Sequence, residues 1–350
     1  MKEFYLDEDI KLICDLLPKS NLKYFEGKKI ILTGAYGFLG RYFLKIFSYL
    51  NQNHLQNKLQ VFGIDNSITG NSNLLNLDEE NINFFNNDAT DKFEVDSDID
   101  IIIHAAGIAS PFYYKAYPLE TLDVAITGTR NFLELSKEKK SKFIFFSSSE
   151  IYGDPDINNI PIKESYNGNL PSMGSRSCYD EGKRVGETLT YIYNRKFNIH
   201  TNVIRPFNVF GPGMQETDYR VLPNFAKLIR ENKPLKVYGN GNQTRTFTYI
   251  VDAMIGFLST IANGITGEAY NIGTPNPELS ILDLVKNIEQ AINKKLDINI
   301  TKHPDSYPSD EPKRRCPDIT KASIQLDFKP QMDLKESLKK YIDWSINFHS

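Results

Sequence analysis

Tyr179 and Lys183 stand four residues apart in YDEGK, within a stretch of helical patterning. On a helix that spacing puts both side chains on one face. An ammonium beside a phenol favours the phenolate and lowers a tyrosine pKa from its ordinary value of about 10. Such a tyrosine can serve as a general base near neutral pH. Ser148, 31 residues upstream at the end of an apolar run, adds a hydroxyl able to hold the reacting oxygen. Tyr-x-x-x-Lys alone is common on surface helices, so its weight comes from what surrounds it.

A second constellation lies nearer the start. Thr33-Gly34-Ala35-Tyr36-Gly37-Phe38-Leu39-Gly40 spaces its glycines G-x-x-G-x-x-G. The early glycines permit a tight turn and close approach of the backbone to a pyrophosphate; the last lets a helix pack against a strand. The helix N-terminus offers N–H groups and a positive dipole end to phosphates. Asp65 follows Gly40 by 25 residues, at the end of the next apolar run. An acid there can accept bonds from the ribose hydroxyls of NAD and repel the extra phosphate of NADP. Asp65 beside Asn66 also reads as a plain turn-forming pair. Asp88, after the third run, can approach an adenine or act only as a loop acid.

These residues need elements to hold them. Strand-like runs fall at Lys29–Thr33, Leu59–Asp65, Ile82–Asn86, Ile99–His104, Lys142–Ser147 and Thr201–Arg205. Helical patterns intervene at 38–50, 119–137 and 179–196. The alternation predicts an α/β fold, a Rossmann-type doubly wound parallel sheet. Past Pro206 the texture changes to short segments and turns such as FGPGM and YGNGNQ, with helical patterns again at 281–293 and 334–347. We expect an NAD-binding domain over 28–205 and a smaller C-terminal substrate-binding lobe over 206–350, interleaved with it. Ahead of both, 1–27 forms a lead-in in which Leu6, Ile10, Ile13 and Leu17 recur at helical spacing.

Composition narrows the class. With 41 Lys+Arg against 44 Asp+Glu the net charge is -3, without the basic surplus of a nucleic-acid binder. The 350 residues suit one large domain or two lobes. No apolar run is long enough for a bilayer, and the N-terminus is acidic where a signal peptide is basic. Cys14, Cys178 and Cys316 show no CxxC spacing, so neither a disulfide frame nor a metal site is expected. A cytoplasmic enzyme without membrane or nucleic-acid partners is the expectation.

TGxxGxxG at Thr33–Gly40 with YxxxK at Tyr179–Lys183 resembles the extended short-chain dehydrogenase/reductases, the NAD-dependent epimerase/dehydratase family that modifies nucleotide sugars. Within that family the strings SSSEIYGDP (147–155), RSCYDEGKR (176–184), IASP with Tyr114 (108–114), DNSITG (65–70), GNGNQTRTFTYIVDA (239–253) and EPKRRCPDITKA (311–322) are similar to those of UDP-glucuronate decarboxylases. The similarity runs over roughly 28–345. It implies NAD as cofactor, held by Gly34, Tyr36, Gly37, Phe38, Leu39, Gly40, Asp65, Asn66, Asp88, Ala89, Ala105, Tyr179 and Lys183. It implies catalysis by Ser148, Ser149, Glu150, Tyr179, Lys183 and Arg315, with Arg315 as proton donor or substrate clamp. An unaided guanidinium is a poor acid, so a positioned water is the other candidate donor. Ser110, Tyr114, Asn208, Arg220, Arg245 and Arg315 would bind the nucleotide sugar, a UDP-sugar by this resemblance. The family further implies a homodimer through the helices near 119–137 and 177–196, and a place in polysaccharide biosynthesis.

Alternatives are a 4-epimerase or a 4,6-dehydratase on a related sugar, or a non-catalytic NAD-binding scaffold. A dehydratase would carry an Asp-Glu pair where this chain has Ser149-Glu150, and an epimerase commonly lacks the acid. The intact Ser148, Tyr179 and Lys183 speak against a scaffold. The chain departs from the decarboxylase pattern at Gly213 (an arginine there), at Ala125 (an asparagine), after Tyr166 (a tryptophan) and in its lead-in.

Overall fold

The computed structural model describes residues 3–70, 80–216, 218, 220–302 and 312–349. After two lead-in helices, α1 (Asp7–Leu16) and α2 (Lys19–Tyr24), the chain alternates: β1 (Lys29–Thr33), α3 (Phe38–Asn53), β2 (Gln60–Asp65), β3 (Ile82–Asn86) and β4 (Ile101–His104). Then come α4 (Pro111–Ala116), α5 (Pro118–Asp123), α6 (Thr129–Lys139), β5 (Lys142–Phe146), α7 (Ser177–Phe197) and β6 (Thr201–Pro206). A seventh strand, β7 (Glu268–Ile272), completes a parallel sheet in the order β7-β6-β5-β4-β1-β2-β3. The expected doubly wound sheet is therefore present. β4 and β5 are buried throughout, which is why they read as unbroken apolar runs.

Register fixes where chemistry can gather. Thr33 pairs with both Ile64 and His104, and His104 with Phe145. The turns after β1, β2, β4 and β5 thus leave one edge of the sheet together. Strand order reverses between β1 and β4, the switch point at which such sheets form a ligand crevice.

Two local readings change. The helix expected over 119–137 is interrupted by a π-helical stretch, Val124–Gly128, between α5 and α6. A π turn inserts a residue per turn, and apolar periodicity does not register one such insertion. The strand β7 arises well beyond Pro206, and the mostly buried α9 (Ile250–Asn263) leads into it. The chain returns to the central sheet after it has begun the second lobe.

That lobe carries α8 (Val221–Arg230), α10 (Ile281–Ile292), α11 (Thr320–Leu326), α12 (Leu334–His349) and short sheets of two or three strands. In one of these, Thr244–Arg245 lies between Leu279–Ser280 and Arg314–Arg315, bringing Arg245 and Arg315 into register.

The lead-in is part of the core. α1 buries Ile10, Ile13 and Cys14, with Leu17 just beyond it, and packs on α3 and α9. Its Asp9, fully buried, accepts a 2.5 Å bond from the Tyr249 hydroxyl and lies 3.4 Å from the Lys340 ammonium. The Trp344 indole donates to the Glu3 carbonyl, and Asn21 to Ser259 on α9. Among the described residues no helix is long and apolar enough to cross a membrane. Replacing Ile13 by Ala should destabilise the whole protein by about 2–5 kcal/mol, as a buried large-to-small change does. Denaturant unfolding checks this; an unchanged midpoint would make the lead-in a mere tether.

Candidate functional site

Above the switch point lies a cavity of about 350 Å³, joined through Gly34, Gly37, Ala105 and Gly107 to a smaller one of about 130 Å³. The glycine turn forms the floor. Gly34 has φ +74°, and a Cβ there would lie 2.9 Å from the Ala105 carbonyl. A Cβ on Gly40 would stand 2.0 Å from the Gly34 carbonyl, so only glycine lets α3 start this close to β1. The Thr33 hydroxyl lies 2.9 Å from His104 Nδ1 and accepts from the Ala106 N–H at 3.1 Å. It thereby joins the loop after β4 to the glycine turn.

The smaller cavity is acidic. Asp65 accepts from the N–H groups of Tyr36 (2.9 Å) and Ser67 (2.8 Å), while burial pushes its carboxyl up. At Asp88 burial also opposes charge, but bonds from Thr90 and Asn66 outweigh it and hold the carboxyl below its usual range. Asn66 and Ala89 complete this wall. Tyr36 is on neither wall: its ring stacks on Phe84, and its backbone N–H fixes Asp65. Bare backbone at the helix start and a carboxylate at the end of β2 are the donor and acceptor set that a dinucleotide needs.

The larger cavity gathers Phe38, Leu39, Gly40, Tyr114, Ser148, Ser149, Glu150, Tyr179, Lys183, Asn208, Arg220, Arg245 and Arg315. Ser110 lies off the wall. It caps α4, its carbonyl accepting from Tyr114 N–H at 2.9 Å. Tyr179 is buried and stacks on Tyr114 with ring centres 5.7 Å apart. The expected lowering of its pKa is not what the surroundings produce. Burial pushes the phenol up, only partly opposed by a bond with the Ser148 hydroxyl. Lys183 stands near the ring without reversing this: its Nζ donates to the Phe146 carbonyl at 2.7 Å and lies 5.8 Å from the Tyr179 ring centre. Burial also brings the Lys183 ammonium down to about 8.

Beside Ser148 a carboxylate is gripped by two guanidinium groups. Arg315 meets both oxygens of Glu150, with Nη2 to Oε2 at 2.7 Å, and Arg176 also pairs with Glu150. Arg176 reaches Asp180 as well, at 3.4 Å. Sequence reading missed Arg176; its place three residues before Tyr179 at the start of α7 was the available signal. Arg245 lines the cavity while donating to the carbonyls of Pro312 and Thr244. Arg220, at 41% side-chain exposure, pairs with Asp218. Asn208 donates to the Thr246 carbonyl.

Two departures from the decarboxylase pattern have steric causes. Gly213 has φ +91°, and a Cβ there would lie 3.0 Å from the Phe4 carbonyl. Ala125 faces Gly182 on α7, where an added Cβ would come within 3.1 Å of it. A larger residue at 125 would press on the helix that carries Tyr179 and Lys183.

Residues 30–273 match the model of the NAD dependent epimerase/dehydratase family. The chain is 35% identical to UDP-glucuronic acid decarboxylase 1 of Xenopus tropicalis, over 93% of this chain and 74% of that protein. It is 35% identical to UDP-glucuronic acid decarboxylase 6 of Arabidopsis thaliana, over 92% of this chain and 90% of that one. Among solved structures, UDP-glucuronic acid 4-epimerase from Bacillus cereus in complex with UDP-glucuronic acid and NAD superposes with a TM-score of 0.77. It shares 30% identity, over 91% of this chain and 99% of that one.

His104 supplies a stability test of the floor. Burial first, then the Lys183 charge, brings its imidazole from 6.5 down to about 3. The unfolded chain therefore binds a proton there that the folded chain refuses. This contribution is intact above pH 6.5 and is lost as pH falls towards 3, by about 1.4 kcal/mol per pH unit. His104→Asn should remove that part of the acid slope, read as urea midpoint against pH. An unchanged slope would mean the imidazole is not the group titrating.

Proposed function

We propose a reaction for this chain, which belongs to the NAD dependent epimerase/dehydratase family: decarboxylation of UDP-glucuronate to UDP-xylose. The observation that carries it is Glu150 gripped by Arg315 and Arg176 beside Ser148 and Tyr179 on one cavity wall. An anionic sugar needs a cationic wall next to the base, and here two buried guanidinium groups supply it. The 35% identity to proteins named UDP-glucuronic acid decarboxylases supports the same reading.

A bound NAD supplies the hydride acceptor for C4 oxidation and the donor for re-reduction. Its pyrophosphate would lie on the bare backbone of Gly34, Gly37 and Gly40 with Phe38 and Leu39 beside it. Asp65 would take a ribose, with Tyr36, Asn66, Asp88, Ala89 and Ala105 shaping that end. Tyr179 accepts the C4 hydroxyl proton, and Ser148 holds the same oxygen. Lys183 would steady the nicotinamide ribose, with its charge 5.8 Å from the Tyr179 ring centre. A ketone at C4 makes the C5 carboxylate β to a carbonyl, so the C5–CO2 bond breaks with its electrons delocalised into an enolate. Arg315, with Ser149, holds that carboxylate, and Glu150 orients the Arg315 guanidinium. The enolate then takes at C5 a proton from a water positioned beside Arg315, the one net proton that loss of CO2 from a carboxylate consumes, and the Tyr179 proton returns to the C4 oxygen as the ketone is reduced. Asn208, Arg220, Arg245 and Tyr114 are assigned to the sugar nucleotide, with Ser110, off the wall, acting only through the start of α4. We assign 28–205 to the cofactor and 206–350 to the sugar nucleotide. Exposed Leu119, Tyr191 and Ile192 on α5 and α7 would form the seam of a homodimer. We further propose a cytoplasmic location and a role in polysaccharide biosynthesis, which consumes such activated sugars.

The second reading is 4-epimerisation of the same acid, favoured by the likeness to the Bacillus cereus enzyme. NMR of UDP-glucuronate with the protein and NAD separates the two. UDP-xylose with release of CO2 is expected; a C4 epimer that keeps its carboxylate would replace decarboxylation with epimerisation. If UDP-glucuronate stays unchanged while another sugar nucleotide reacts, the assignment fails. Tyr179→Phe should lose about 10²–10⁴-fold in rate, the contribution of a positioned general base. Because burial raises the phenol, C4 oxidation should accelerate from neutral to alkaline pH in single turnovers. A flat profile would remove Tyr179 as the base.

A further inference from the structure

The side chain of Gln215 bonds in two directions. Its amide donates to the Thr69 carbonyl at 2.9 Å, and its oxygen accepts from the Tyr113 hydroxyl at 3.2 Å. Thr69 lies on the wall of the smaller cavity, in the loop after β2. Tyr113 belongs to α4, whose Pro111 and Tyr114 line the larger one. One side chain on the segment after β6 thus ties together loops 146 and 102 residues away, one beside each cavity. A dinucleotide reaching from Asp65 to Tyr179 has to cross the junction between them.

The root of this segment is fixed too. Arg41, fully buried in the first turns of α3, donates to the Gly213 carbonyl at 2.8 Å and to the Gly37 carbonyl at 3.3 Å. Its guanidinium lies 4.4 Å from the centre of the Phe4 ring. No carboxylate partners it among the described residues, so a buried cation is held by carbonyls and one ring. That arrangement is costly unless it secures something. What it secures is the glycine turn, the 213 backbone and the lead-in in one contact. Gly213 makes this possible, because its φ of +91° leaves room for Phe4 where a side chain would meet it.

We propose that Gln215, anchored through Arg41 and Phe4, straps the 211–216 segment across the cofactor so that NAD(H) stays bound between the two hydride transfers. This rests on the reading of the site as an NAD site with a returning hydride. In that reaction the hydride taken from C4 is given back to the C4 ketone, so the net change leaves NAD as it was. If NADH left after the first transfer, the ketone would be stranded and NADH would accumulate. Gln215 and Arg41 touch no reacting atom in this scheme; they are positioning residues.

The test reads cofactor release without any sugar. Protein loaded with NADH is mixed with excess NAD, and loss of bound-NADH fluorescence is followed by stopped flow. Gln215→Ala, which loses both bonds, should release NADH about tenfold faster; Tyr113→Phe, which loses one, should fall between it and wild type. Melting temperatures should match wild type, and the double variant should release no faster than Gln215→Ala, since the bonds form one bridge. Wild-type release from Gln215→Ala, or faster release only alongside a lowered melting temperature, overturns the strap. Faster release in a protein that leaves UDP-glucuronate untouched keeps the strap and rejects the decarboxylase reading.

Discussion

The hydroxyl of Thr33 is the joint on which the site depends. It sits at the last residue of β1, opposite His104 at the last residue of β4, and bonds to His104 Nδ1 and the Ala106 N–H at once. Between these strands the sheet reverses its winding, so their loops diverge and leave the crevice. Without a tie there, the glycine turn and the 105–107 loop would be free to move apart. With it, the Gly34 backbone and the Ala105 carbonyl face each other too closely for any side chain. The ring of His104 stacks near Phe132, Phe143 and Phe145, so the joint is embedded in the apolar layer under the sheet. An imidazole kept neutral by that layer can accept from Thr33, whereas a protonated one could not.

Much of this was legible in the sequence because it follows local rules. β1 to β6 are apolar runs of strand length, and the glycine spacing and Tyr179–Lys183 each sit on one element. What escaped reading depends on contacts distant in sequence. The strand β7 is an ordinary-looking EAYNI, and only its pairing with β6 places it in the main sheet. Arg176 stands three residues before Tyr179, but only folding sets it against Glu150, 26 residues away. The lead-in showed its apolar stripe, but not that Phe4 fills the space over Gly213, more than two hundred residues on. The upward shift at Tyr179 was missed for the same reason. Spacing puts Lys183 nearby but does not reveal that its ammonium is committed to the Phe146 carbonyl.

The near-neutral total charge conceals a steep internal division. Asp65, Asp88, Glu120 and Asp123 line the smaller cavity, while Arg176, Lys183, Arg220, Arg245 and Arg315 line the larger. The two sets meet at the backbone of Gly34, Gly37 and Gly107, with Lys183 Nζ beside the last. Hydroxyl-bearing groups suit the first end and anionic ones the second, so the charge pattern alone orients a long, asymmetric occupant. The cations are held back by their own partners, Glu150 and Asp180 for Arg176 and Asp218 for Arg220. An incoming anion therefore competes with a carboxylate and does not meet a bare positive field, which favours ligands whose geometry matches the guanidinium forks over diffuse negative charge.

The same competition bears on how a buried phenol can act as a base. Its pKa is raised because burial disfavours the phenolate, and Asp180 nearby adds to this. Lys183 is itself brought down to about 8 by burial, so its charge is lost on mild alkalinisation. The two shifts have one cause and one remedy. A polar group placed beside Gly107, where Lys183 Nζ would lie 3.1 Å from an added Cβ, is within reach of that ammonium. By replacing part of its lost solvation it would favour the charged lysine, and the charged lysine in turn favours the phenolate. A group at the junction between the cavities would therefore act on the Tyr179 phenol only through the Lys183 charge.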